Sequence, residues 1–234
     1  MPNLPKYYRV LIAGLILCFA GQTWTEPVVR PNQQQLHGRS VYVIPIDGAI
    51  DKTLLFVIRR AFAEIRRQQP VAVILDLDTP GGGLRETEEI IAHIRALQIP
   101  IYAYVNPHAL SAGAIISLGC NGIFMAPGSR IGSAMPILIN QMSGGAEGLP
   151  AEYREKILSD VRSLVRGLAQ ENNYNQDLAM AMVDPEVEVR IGERVIVAEG
   201  ELLNLTAQEA VEIIEPQTEP LLATAVVADI DALL

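Results

Sequence analysis

The chain has 234 residues, 50% hydrophobic and only 19% charged, with a formal net charge of −9. That length accommodates one α/β domain with a substantial core. The acidic balance and the lack of a Lys/Arg-rich stripe exclude a nucleic-acid partner, which needs a basic footprint on phosphates. So sparsely charged a surface is expected to be covered in part, by homo-oligomer contacts or by a nearby membrane.

Lys6 and Arg9 flank the start of an apolar run, Val10 to Phe19, which ends in a small-x-small Cys18-Phe19-Ala20 site. This is the layout of an export signal, so residues 1–21 are expected to be a signal peptide or signal anchor, placing the mature chain on the periplasmic or extracytoplasmic face of a membrane. Leu17 stands where a lipoprotein site before Cys18 would need a small residue. With the signal removed, Cys120 is the only cysteine and no intrachain disulfide can form. Two prolines and three consecutive glutamines mark residues 22–39 as a polar linker. The folded domain is expected over 40–215, and 216–234 as a C-terminal tail.

Within the domain, Val41 to Ile46 reads as a strand, Lys52 to Gln69 as an amphipathic helix and Val71 to Leu75 as a buried strand running into Asp78-Thr79-Pro80-Gly81-Gly82-Gly83. The Arg59-Arg60 and Arg66-Arg67 pairs recur at helical spacing, as on a solvated helix face. A helix over Leu84 to Leu97, a strand over Ile101 to Val105, a small-residue helix from Ser111 to Leu118 and a short strand Ile123 to Met125 come next. Alternating strands and helices predict parallel, right-handed crossovers, with chemistry at the carboxyl ends of the strands. The glycine-rich stretch from Asn140 to Pro150 is expected to form a lid loop. Beyond it come a helix over Glu152 to Gln170, a hairpin over Val187 to Val197 around Gly192, and a Thr206–Glu209 capping box leading a helix to about Ile214. Asp229 and Asp231 argue against reading the apolar tail as a membrane span.

The chemistry is carried by Ser111 and the glycine turn. A serine at a helix start beside free amides is how a hydrolase joins a nucleophile to an oxyanion hole; the bland alternative is an N-cap. His37, His93 and His108 all precede Ser111. Of the three lysines, Lys6, Lys52 and Lys156, only Lys156 comes after it, on the amphipathic Glu152–Leu158 stretch. Arginine stays protonated, so Lys156 is the candidate base after Ser111. A lysine titrates near about 10.4, and an apolar site lowers that toward a useful range. His108, just before Ser111, is the alternative base, and His93 reads as a structural histidine. Ser133 is placed either to orient a lysine ammonium or to serve a turn. The glycine turn lacks the lysine and hydroxyl residue of a phosphate-binding loop. Asp76 and Asp78, without further ligands, are weak as a metal pair, so no metal and no organic cofactor is expected.

The segments "DTPGGG", "LSAGA", "PGSRIGSAMP", "EKILSDVRSLVRGLA" and "LLNLTAQEAVE", in this order, resemble the N-terminal protease domain of the nodulation-efficiency D (NfeD) proteins, membrane-associated serine proteases of the ClpP class. The resemblance covers roughly Val41 to Ile214. It implies the ClpP/crotonase-like spiral of ββα units, a Ser111–Lys156 dyad and an oxyanion hole from the Gly82 and Ala112 amides. It further implies a peptide or protein substrate drawn from hydrophobic segments, with a stomatin-like membrane protein as the expected partner. Longer family members continue into membrane spans and a small β-barrel domain that this sequence does not contain. Two rival readings use the same groove: a crotonase-type acyl-CoA enzyme, disfavoured by the export signal, and a non-catalytic scaffold binding membrane-protein partners.

Overall fold

The computed structural model describes residues 9–11, 40–137 and 151–234. In chain order its elements are β1 (Arg9–Leu11), β2 (Ser40–Asp47), α1 (Lys52–Gln68), β3 (Ala72–Thr79), α2 (Leu84–Arg95), β4 (Ile101–Leu110), α3 (Ala112–Leu118), β5 (Gly122–Met125), β6 (Arg130–Gly132), α4 (Ala151–Glu171), α5 (Gln176–Ala181), β7 (Val189–Ile191), β8 (Arg194–Val197), β9 (Asn204–Thr206), α6 (Ala207–Ala210), β10 (Ala225–Val226) and α7 (Ile230–Leu233). The remainder of the expected signal segment, the linker and the Asn140–Pro150 loop lie outside the described residues.

The main sheet runs β1-β2-β3-β4-β5-β10, and β6 bridges β4 to β9. β2, β3, β4 and β5 are parallel neighbours, as the alternation of strands and helices predicts. Helices α1 to α4 pack on one face of the sheet, and α7 lies on the other. Asp51 caps α1 by accepting from the Thr53 and Leu54 amides at 2.8 and 2.9 Å. Leu55, Ile58, Phe62 and Ile65 then fall on one stripe and are buried against Ile44, Ile46, Leu75 and Leu77. Burying each such side chain is worth about 1.5–3 kcal/mol, so this stripe, more than helix propensity, fixes where α1 lies.

Two strands run further than their apolar cores predict. β3 continues to Thr79 and β4 to Leu110, which carries both strands up to the glycine turn and to Ser111. β6 and α5 have no forerunner in the sequence reading, and the helix after the capping box ends at Ala210 instead of near Ile214. The hairpin around Gly192 and the Thr206–Glu209 capping box are present.

The second sheet face is covered by the tail. β10 pairs parallel to β5, and Val227, Ile230, Leu233 and Leu234 pack on Val41, Val43, Ile74, Tyr104 and Ala126. The Tyr104 hydroxyl donates to the Val227 carbonyl at 3.2 Å. Further along the same face, Asp76 is flanked by Asp47 and Asp78. Burial, and then the charges of Asp78 and Asp47, raise its carboxyl from 3.8 to about 6. A folded-state value above the unfolded one means that stability falls as pH rises through roughly 4–6. Asp76→Asn is therefore expected to stabilise the fold by about 1–2 kcal/mol at pH 7.5 and to give no gain near pH 4, read from urea unfolding at both pH values. An equal effect at the two pH values would remove charge as the cause.

Candidate active site

Thr79, fully buried, ends β3 and accepts the Gly81 amide on its Oγ1 at 3.0 Å. Gly81 has φ +109, and a Cβ there would stand 2.5 Å from Ser111 Cβ and 2.9 Å from its Oγ. Only glycine lets this turn lie directly on the serine. The next residue is aimed by an isolated parallel bridge to Ile50. The Ile50 amide donates to Gly81 O at 2.9 Å, and the Gly83 amide donates to Ile50 O at 2.8 Å. Successive residues of extended chain point to opposite edges, so the N–H of Gly82 faces away from Ile50, toward the β4 side where Ser111 stands.

Ser111 comes directly after β4 with φ 52 and ψ −118, a conformation that an L-residue holds only under constraint. Its amide donates to Gly132 O at 3.0 Å. The side chain makes no capping hydrogen bond to α3, which sets it apart from an ordinary N-cap serine. Ala112 opens α3, so its amide is one of the first-turn donors that a helix leaves unpaired. Leu110 lies opposite Gly132 in the β4–β6 ladder, which carries Ser133 to the position beside Ser111. Ser133 has φ 49, and its amide donates to Leu203 O at 2.9 Å.

The structure thus gathers Ser111, Gly82, Ala112 and Ser133. Lys156 stands apart from them: it is exposed on the second turn of α4, and among the described residues it makes no hydrogen bond to Ser111. α4 is seated by Val161, Val165, Leu168 and Ala169. It is also seated by a pair that sequence reading missed: Arg162 Nε donates to the buried Asp184 at 2.7 Å, and its Nη1 donates to Glu155, the neighbour of Lys156, at 2.8 Å. The Asp184 and Glu155 carboxylates push the Arg162 guanidinium above its ordinary range. Met182 O accepts the Ala134 amide at 2.6 Å, so the lysine helix is tied through Asp184 and Met182 to the segment just past Ser133.

The alternative base is otherwise engaged. His108 lies within β4, with Nδ1 3.1 Å from Asp78 Oδ1 and Nε2 2.9 Å from Arg130 Nη2. Both ring nitrogens are occupied, and neither is free to take a proton from Ser111. His93 stacks on Phe62 at 5.7 Å, and burial lowers its pKa, as for a structural histidine. Cys120 is fully buried, and burial pushes its thiol well above the usual range, leaving it inert. An open cleft of about 760 Å³ between Asn121, Tyr174 and the Pro216–Thr224 stretch lies toward the far end of α3 from Ser111.

A parallel sheet that ends in a glycine turn, laid on a strained serine at the start of a helix, is the architecture of the ClpP-like fold. The sequence model of the family described as NfeD1b, N-terminal domain, matches residues 40–224, and the chain belongs to that family. It is 31% identical over 175 residues to the membrane protein NfeD1b of Bacillus subtilis (strain 168), a match covering 75% of this chain and 37% of that protein. To the membrane-bound protease PH1510 of Pyrococcus horikoshii it is 30% identical over 182 residues, covering 76% and 38%. The chain therefore spans less than two fifths of the length of these relatives. Among solved structures, the 1510-N membrane-bound stomatin-specific protease, a lysine-to-alanine mutant in complex with a substrate peptide, superposes with a TM-score of 0.65 at 29% identity, covering 82% of this chain and 77% of that one. ClpP1 from Listeria monocytogenes shares the fold, with a TM-score of 0.51 at 14% identity over 72% and 84% of the two chains. No helix among the described residues is long and apolar enough to cross a membrane.

Proposed function

We propose that this chain is a serine endopeptidase in which Ser111 is the nucleophile and Lys156 the general base. The observation that carries the reading is the uncapped Ser111 held at a positive φ, with the Gly82 and Ala112 amides beside it. Binding of an extended apolar peptide strips water from the lysine amine, which then takes the Oγ proton. The Oγ–carbon bond forms as the carbonyl π pair moves onto oxygen, where the two amides stabilise it; each such donor is worth about 3 kcal/mol of barrier. Collapse breaks the C–N bond, the leaving amine takes the proton from the lysine, and water activated by the same amine hydrolyses the acyl-enzyme. Ser133 orients the ammonium between these steps.

The substrate class we assign is a hydrophobic segment of a membrane protein, with a stomatin-like protein as the first to test. Support comes from the relative described as a stomatin-specific protease and from the membrane proteins among the relatives. The export-type N-terminus supports a site on the extracytoplasmic face, apposed to the membrane, and the low surface charge supports a homo-oligomer. The test is a fluorophosphonate probe with mass spectrometry of the product: the adduct is expected on Ser111 and is expected to vanish in Ser111→Ala. A folded wild type that takes up no probe would transfer the groove to a binding role.

A further inference from the structure

The segment directly in front of the nucleophile contains surplus chain. Leu77 pairs with Val105 and Thr79 with Ala109, so two steps along β3 match four along β4. Residues 106–108 stand against Asp78 alone, a surplus of two residues, and a bulge of this kind re-aims the chain beyond it. That chain leads to Ser111, held at φ 52. A strained residue of that kind costs about 1–3 kcal/mol and persists only where its surroundings over-determine it. The Ser111 amide bond to Gly132 O restrains one side; His108 restrains the bulge itself.

The proton on His108 is set by its partners. A guanidinium only donates, so Nε2 accepts from Arg130 Nη2 at 2.9 Å. Nδ1 then carries the hydrogen and donates to Asp78 Oδ1 at 3.1 Å. The histidine is neutral in this arrangement and bridges an anion to a cation that do not meet directly. The three groups stand on three strands, each leading to one part of the site. Asp78 opens the turn that contains Gly82, His108 stands three residues before Ser111, and Arg130 stands three before Ser133. Arg130 is opposite Thr206 in the β6–β9 ladder, and the capping box of α6 fixes Thr206.

We propose that Asp78, His108 and Arg130 form a positioning bridge that sets the distance between the oxyanion turn and the strained serine, with neutral Nδ1–H His108 as the donor–acceptor link. This assignment rests on the reading of Ser111 as the nucleophile. The side chains of His108 and Asp78 are 35% and 47% exposed, and Arg130 is exposed, so the bridge adds little to global stability. Its effect lies in geometry, where a displacement of about 1 Å costs on the order of 100-fold in rate.

The full chain tests this with His108→Leu, which removes both bonds, and His108→Gln, whose amide can donate to Asp78 and accept from Arg130. Leucine is expected to lower fluorophosphonate labelling of Ser111 and peptide kcat about 10- to 100-fold with KM retained. Thermal unfolding is expected to stay within about 2 °C of wild type. Glutamine is expected to restore both rates to within about threefold of wild type. Long-range proton–nitrogen correlation, assigned by the resonance lost in His108→Gln, is expected to report the Nδ1–H tautomer. Wild-type labelling in the leucine variant, no recovery with glutamine, or an Nε2–H tautomer would each overturn the bridge. A wild type that is itself unlabelled would instead remove the nucleophile reading, and the bridge's role with it.

Discussion

Changing Lys156 to alanine is expected to slow the reaction of Ser111 with a fluorophosphonate about 10²- to 10⁴-fold, the usual contribution of a general base. The side chain is exposed on α4, so the melting temperature is expected to move by no more than about 2 °C. Loss of reactivity would then report chemistry and not unfolding. Arginine at the same position is expected to fail as completely as alanine, because a guanidinium keeps its proton. Among the described residues the alternative base is already engaged, the two nitrogens of His108 being held by Asp78 and Arg130. In the proposed mechanism Lys156 approaches Ser111 and loses water before it acts, and the Arg162–Asp184 pair anchors the helix that carries it. Equal labelling rates in wild type and Lys156→Ala would eliminate the lysine as base while leaving Ser111 as nucleophile.

Much of the candidate site's local geometry was legible in the sequence because its residues are constrained locally. A turn that touches a neighbouring side chain requires glycine, and a serine that opens a helix of alanine and glycine leaves its mark at fixed spacing. The alternation of apolar strands with amphipathic helices likewise gave the parallel sheet, since burial on both faces forces continuous runs such as Val73 to Leu75. The length of β4 was hidden by Pro107, which reads as a stop in an ordinary strand. In the fold it falls in the bulge, where no ladder amide is needed. β6 has three residues after the Pro127–Gly128 turn, and α5 only six, too short to show a period. The Arg162–Asp184 and His108–Arg130 contacts join residues 22 apart in each case. No local pattern encodes such pairs; the first exists because α4 packs on α5 and the loop after it, the second because β4 and β6 lie side by side.

The methyl group added by Gly81→Ala is expected to be damaging in a specific way, because it would collide with the serine itself. At φ +109 an alanine carries a backbone cost of about 1–2 kcal/mol, and its Cβ would lie 2.5 Å from Ser111 Cβ and 3.2 Å from the Ala112 amide nitrogen. Neither neighbour can yield freely: Ser111 is tied to Gly132 O, and Ala112 is buried at the start of α3. Relief must come from shifting the turn off the serine, which moves the Gly82 amide and breaks the bond from the Gly81 amide to Thr79 Oγ1. Removing a properly aimed oxyanion donor costs about 10²–10³ in rate, so Gly81→Ala is expected to lose at least that much labelling, together with about 2–4 kcal/mol of stability. Gly200→Ala separates backbone strain from collision. Gly200 has φ +94, yet a Cβ there meets nothing within 4 Å. It is expected to lose only about 1–2 kcal/mol in urea unfolding and to label at the wild-type rate. If Gly81→Ala and Gly200→Ala behaved alike in both measurements, the turn would not be resting on Ser111, and the oxyanion hole would have to be sought elsewhere.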